Sequence, residues 1–297
     1  MKNTLMKTKN ILATMLMLFA TIGFTACGDD EESLPPLNPT FEAVSGKYTV
    51  TTSGSPYESI ELTVSGNYII TTDNAAPWAA PAPQAESSTV RTNFLYRTAA
   101  AAQTRATNYN GIIYGRYTEL GNNRFALEGF GTLEIVYGED GTEIIGFELT
   151  PDGEGPVSLS VSKETTMPDS DATDKLCRTW RVDKMTYVYS EDGHVLGEFT
   201  ITADNYKEFD DEIDGFPTEA LFSKSGTYMV YYTDGSLGIS SWKWKDEAAL
   251  TFLYAWDNQW YDDDFATVSF SGNTAMVYEV YEDYGEKEET YTYMTAL

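Results

Sequence analysis

Histidine, cysteine and positive charge are all scarce in this chain. The 297 residues include one His, two Cys and 19 basic side chains against 46 acidic ones. A single histidine, His194, cannot build a His-containing zinc cluster. It follows the hairpin signal Asp192-Gly193 and has no nucleophile motif beside it, so a bystander role is expected. If Cys27 is consumed at a processed N-terminus, Cys177 has no partner for a disulfide and reads as a small buried hydrophobe. The net charge of −27 repels phosphate backbones and anionic head groups, so nucleic acid is excluded as a partner. Gly-x-Ser-x-Gly, a phosphate loop and a metal-binding His pair are all missing, so the common motif-bearing enzyme classes have no foothold. The longest apolar run, residues 11–24, falls short of the ~20 residues that span a bilayer as a helix.

That run has a meaning of its own. Lys2, Lys7 and Lys9 precede it and the small residues Thr25-Ala26 follow it, which is the order of a secretory signal peptide. With Cys27 directly after, Phe24-Thr25-Ala26-Cys27 resembles the lipobox of bacterial lipoproteins. The resemblance implies cleavage after residue 26 and acylation of Cys27, which becomes a membrane anchor. The mature chain then carries 16 basic and 46 acidic residues. Asp29-Asp30-Glu31-Glu32 and the proline-bearing stretch to Pro39 read as a solvated, extended tether over residues 27–39. Acidic residues just after such a cysteine resemble the surface-export signal of outer-membrane lipoproteins in Bacteroidota. That implies an outer-membrane protein facing outward.

Beyond the tether, short alternating runs rich in Tyr, Val, Ile and Thr alternate with turn signals such as Asp140-Gly141, Asp234-Gly235 and Ser271-Gly272-Asn273. This pattern predicts an all-β chain of barrels or sandwiches. Residues 203–220, acidic and irregular, predict a short helix or long loop. Gly46-Lys47-Tyr48-Thr49-Val50 answers Arg178-Thr179-Trp180-Arg181-Val182, and Ser65-Gly66-Asn67-Tyr68 answers Ser225-Gly226-Thr227-Tyr228. Two copies of one β module are expected, at 40–163 and 174–297, joined by a polar linker at 164–173. The Pro- and Ala-rich stretch 75–110 is expected to be a mobile insert in the first copy.

Leu176 to Trp180, Phe222 to Tyr228, Asp234-Gly235 and Trp242-Lys243-Trp244 resemble the lipocalin-like domains of Bacteroidota lipoproteins. The resemblance is strongest over 174–297 and implies two tandem small antiparallel β-barrels, in a family whose members mostly have no assigned ligand.

The second copy also concentrates aromatics. Trp242 and Trp244 are two apart, share a strand face and are expected to fill a barrel core. Trp256, Trp260 and Tyr261 stand beside Asp257 and Asn258; flat rings next to hydrogen-bonding groups are how proteins hold sugars, so these five are the candidate ligand-binding residues. Asp262-Asp263-Asp264 lacks the alternation, central Gly and terminal Glu of a calcium hand, so no metal site is expected. No catalytic residue and no cofactor is expected. The reading is a non-catalytic envelope lipoprotein that touches the membrane through its lipid and binds a glycan or small apolar molecule. Alternatives are an accessory protein whose partner is another envelope protein, and a hydrolase using carboxylates alone, which leaves no local motif.

Overall fold

In the computed structural model the described residues are 33–73, 108–109, 111–209, 215–255, 259–283 and 285–297. The first barrel runs β1 (Gly46–Val50), β2 (Tyr57–Leu62), β3 (Asn67–Thr72), β5 (Ile112–Gly121), β6 (Arg124–Leu127), β7 (Gly131–Tyr137), β8 (Ile144–Pro151) and β9 (Val157–Lys163). Each strand is antiparallel to the next, and β9 returns to β1 to close the barrel. The two-residue β4 (Asn108–Tyr109) pairs with the start of β5.

The second barrel repeats the plan. Its strands are β10 (Thr179–Glu191), β12 (Pro217–Phe222), β13 (Thr227–Tyr232), β14 (Leu237–Asp246), β15 (Thr251–Tyr254), β16 (Phe265–Ser271), β17 (Thr274–Asp283) and β18 (Glu286–Ala296), with β18 closing on β10. An extra strand, β11 (His194–Ile201), folds back on the far half of β10. Two tight turns show why these strands reverse where they do. Asn122-Asn123 and Asp192-Gly193 both hold two successive positive φ angles (54° and 61°; 48° and 78°), as a two-residue hairpin of matching twist requires. The chain is therefore all-β, with two closed eight-stranded antiparallel barrels in tandem.

Inward positions alternate with outward ones along each strand, and the inward ones are large. Tyr48, Tyr68, Tyr117, Phe125 and Phe147 fill the first barrel, and Trp180, Phe222, Tyr228 and Trp242 the second, all less than 2% exposed. Barrels of this strand number are just wide enough for side chains to fill.

A short helix leads into each barrel. α1 (Pro39–Val44) is capped by Asn38, which accepts from Thr40 N at 2.9 Å, and α2 (Asp171–Leu176) by Ser170, which accepts from Thr173 N at 3.0 Å. The first strand then ties back to its helix in the same way twice. Tyr48 Oη donates to Val44 O (2.9 Å), and Trp180 Nε1 donates to Leu176 O (3.0 Å). Helix α2 crosses residues 173–174, and Met167 N donates to Lys224 O at 2.8 Å, so the stretch between the barrels is bonded to the second one.

Residues Leu34–Leu297 form one compact unit. The barrels meet through an apolar cluster in which Ile69 of β3 packs with Leu221, Met229, Leu237 and Ile239 of β12 to β14, flanked by Ile112, Tyr114 and Tyr231. Residues 203–220, expected as a short helix or long loop, hold a helix and the start of a strand. A short helix is there, α3 (Tyr206–Phe209), but Pro217–Phe222 is strand β12. Pro217 is tolerated because it stands at the first position of its strand. Apart from Asn108–Tyr109, the insert read at 75–110 lies almost wholly outside the described residues, as do residues 1–32 with Cys27.

Candidate functional site

Strand β14 sorts its side chains by alternation. Trp242 and Trp244 turn inward. Trp242 is 1% exposed in the core, and Trp244 packs against it edge to face, with ring centroids 5.4 Å apart at 83°. Trp244 Nε1 donates to Thr173 Oγ1 at 2.9 Å, so its polar edge is satisfied by α2. This pair is scaffold.

The intervening positions turn outward and carry cations. Lys243 Nζ lies 4.2 Å above the Trp260 ring, and Lys245 Nζ lies 4.0 Å above the Phe265 ring. Lys245 also donates to the Asp262 carbonyl. Each ring–cation contact at an exposed site is worth roughly 0.5–1 kcal/mol, enough to bias the orientation of the ring a few-fold. Trp260 is 38% and Tyr261 46% exposed, and Tyr261 Oη donates to Gln259 Oε1 at 3.2 Å. Trp260 and Tyr261 thus stand together on the surface, beside two lysines and Phe265 that the sequence reading did not include. The signal was present: if Trp242 and Trp244 fill the core, period two puts Lys243 and Lys245 on the opposite face. Trp256, Asp257 and Asn258 lie outside the described residues.

Behind this patch is a polar contact inside the barrel. Tyr254 Oη lies 2.8 Å from both Asp264 Oδ1 and Glu279 Oε1. A phenol has one proton to give, so Tyr254 donates to one of the two carboxylates at a time. Asp264 is therefore tied to the barrel wall. His194 is exposed at the start of β11. Cys177 is fully buried, and burial drives its thiol pKa far up, which makes it inert. Among the described residues no group of three or more His, Cys, Asp or Glu could hold a metal ion.

Two clefts flank the contact between the barrels. One, about 480 Å³, is lined by Lys163, Asp169, Asp174, Ser223, Lys224 and Ser225. Lys224 bridges Asp169 (2.8 Å) and Asp174 (2.6 Å) there. Burial pushes the Lys224 pKa down, but those two bonds outweigh it and the net shift is upward. The second cleft, about 470 Å³, is lined by Tyr114, Tyr231, Asn67 and the ion pair Arg116–Glu219 (3.8 Å). Both join residues far apart in the chain, so no local pattern announces them.

At the contact between the barrels lies Glu61 of β2, hydrogen-bonded to Thr227 of the second barrel. As an outward residue of β2 it would be solvated on a lone barrel, but the second barrel covers it to 3% exposure. Its Oε2 accepts from Thr227 Oγ1 at 2.8 Å, while Oε1 has no hydrogen-bond partner. Burial raises its pKa; the nearby Ser223, Thr227 and Ser225 hydroxyls and Lys47 pull in the other direction without cancelling it.

No protein-family model matches the chain, and no curated protein matches it. Among solved structures it is similar to "The Structure of Intact Ap-TbpB (N and C lobes)", with 10% sequence identity and a TM-score of 0.24, over 81% of this chain and 61% of that one. The chain thus spans less than two thirds of that structure's length. Similarity at this level carries neither fold nor function across, and the two barrels stand on their own strand pairings.

Proposed function

We propose that the protein is a cell-envelope lipoprotein, anchored in the outer membrane through acylated Cys27 and facing outward, that acts as a non-catalytic binding module for a glycan. The supporting observation is the exposed Trp260–Tyr261 pair, with Lys243 over the Trp260 ring and solvated polar groups beside it. The apolar C–H face of a sugar stacks on such rings, while its hydroxyls need hydrogen-bonding neighbours that a purely apolar patch lacks. The packed barrel interiors, with Trp180, Trp242 and Tyr48 each at most 1% exposed, favour this surface over a lumen filled by a small apolar molecule. A glycan array probed with the whole chain tests the reading. Retention of one glycan class, lost on Trp260→Ala, supports it; a blank array across neutral and acidic glycans contradicts it.

A further inference from the structure

The long strands of the second barrel continue past its closed part. Pairing of β10 with β18 runs from Trp180–Ala296 to Glu191–Glu286, whereas β12 covers only Thr179–Arg181 of β10 and β16 leaves β17 at Tyr278. Beyond those points four strands stand as a tab, in the order β11–β10–β18–β17. The two hairpin tips clasp each other, with Asp192 N donating to Gly285 O at 2.9 Å.

Among the described residues β11 pairs only with β10, over Met185–Glu191. It lies along the same side of β10 as β12, and the neighbour of β12, β13, makes no pairing with it. Among the described residues no strand lies beside the outer edge of His194–Glu198. Proteins blunt such edges with lysine, proline, other charges or a bulge; His194–Ile201 contains neither lysine nor proline and is guarded only by Glu198 and one bulge. Val195 and Leu196 are each 58% exposed, and Leu196 is the extra residue of a bulge opposite Tyr189–Ser190.

Charge selects what can pair there. Residues 184–201 and 278–293 together carry nine acids and two lysines, and of the acids Glu279 and Glu288 are buried. Both lysines are engaged: Lys287 pairs with Glu289 at 2.9 Å, and Lys184 lies 4.6 Å above the Tyr293 ring. Glu198 sits exposed on β11 itself. A second copy of this chain, at −27, would bring acid against acid, and like charges directly opposite are destabilising.

We propose that the free edge of β11 is a docking site for an extended segment of a partner protein in which basic and apolar residues alternate. The backbone of the segment extends the sheet. Its apolar side chains cover Val195 and Leu196, and its cations face Glu198 and the exposed Glu191 and Asp192 at the hairpin tip. The site is separate from the Trp260 patch, so either can fail without the other.

The test is hydrogen exchange by mass spectrometry on the full chain, at low ionic strength, with a ten-residue peptide alternating lysine and valine as probe. Exchange over residues 194–200 should slow at least about tenfold, and added salt should reverse the effect. A version of the peptide interrupted by proline should give no protection, nor should one alternating glutamate and valine. The double substitution Val195→Lys/Leu196→Lys should abolish protection with an unchanged melting temperature, because both side chains are mostly solvated. Unchanged exchange at 194–200, equal protection by the glutamate peptide, or protection surviving the double substitution would each overturn the proposal. So would a native mass spectrum showing a dimer that the same substitution dissociates.

Discussion

Tyr117 and Trp242 hold equivalent places in the two barrels. Tyr117 donates its backbone N–H to Gly66 O (2.7 Å) and its phenol to Thr63 O (2.7 Å); Trp242 donates its backbone N–H to Gly226 O (2.7 Å) and its indole N–H to Ser223 O (3.0 Å). The hairpins that accept these bonds match as well, with Gly66 and Gly226 at φ +79° and +83°, a region that favours glycine. Ser223 lies 160 residues after Thr63 but Trp242 only 125 after Tyr117. The difference falls on the long segment between β3 and β5. The repeat is thus one architecture whose buried ring may be a phenol or an indole, provided its polar edge reaches the same carbonyl.

Scaffold and surface tryptophans should part on mutation. Trp242→Ala empties a buried site in contact with Phe222, Phe252 and Trp244, and is expected to cost about 3–5 kcal/mol in denaturant unfolding. Trp260→Ala removes a ring that is 38% exposed and should change stability by less than about 1 kcal/mol.

Glu61 should make stability fall as pH rises. Its folded-state pKa is raised by burial, so above the ordinary carboxylate range the folded chain holds a proton that the unfolded chain has released. Unfolding free energy therefore declines from the unfolded-state pKa up to the folded one. Glu61→Gln should remove that slope. Melting temperatures of both proteins from about pH 4 to about pH 8 should diverge upward in favour of the variant; parallel curves would show that the carboxyl does not titrate at the contact between the barrels. Asp169, whose pKa is lowered by its bond to Lys224, contributes an opposite slope only below the ordinary carboxylate range, beneath this window, and equally in both proteins.

The second barrel should fold without the first. A fragment of residues 174–297 should unfold cooperatively with a β-type circular dichroism spectrum. Extending its start to residue 165 restores the Ser170 cap of α2 and should add about 1 kcal/mol. Either fragment exposes Leu221, Met229 and Leu237, at most 3% exposed in the whole chain, so both should be less stable than the same barrel beside its partner.

Much of this fold was legible because a barrel strand leaves a period-two trace and its turns leave Asp-Gly or Asn-Asn. The core role of Trp242 followed from the same trace. Strand β12 was harder to read, since its first half, Pro217-Thr218-Glu219, lacks the β-branched and aromatic alternation of its neighbours. Glu61 could not have been read at all. Alternation marks it as an outward acid between Ile60 and Leu62, and only the other barrel, over 160 residues away along the chain, makes it buried. Period two puts Lys243 and Lys245 outward but does not place them over Trp260 and Phe265, because the rings come from a different stretch of chain than the cations.

The anchor has a direct check. Cys27→Ala should move the protein from the membrane fraction to the soluble one; a variant still membrane-bound after salt washing contradicts acylation at that residue.

The most direct test of the binding account is a calorimetric titration, with the glycan class retained on the array, of the unmodified chain, Trp260→Ala and Lys243→Ala. Affinity should fall about tenfold or more in Trp260→Ala, near 1.4 kcal/mol. A smaller loss is expected for Lys243→Ala, which only frees the ring, with unchanged melting temperatures for both. Equal affinity of Trp260→Ala and the unmodified chain would contradict the binding account.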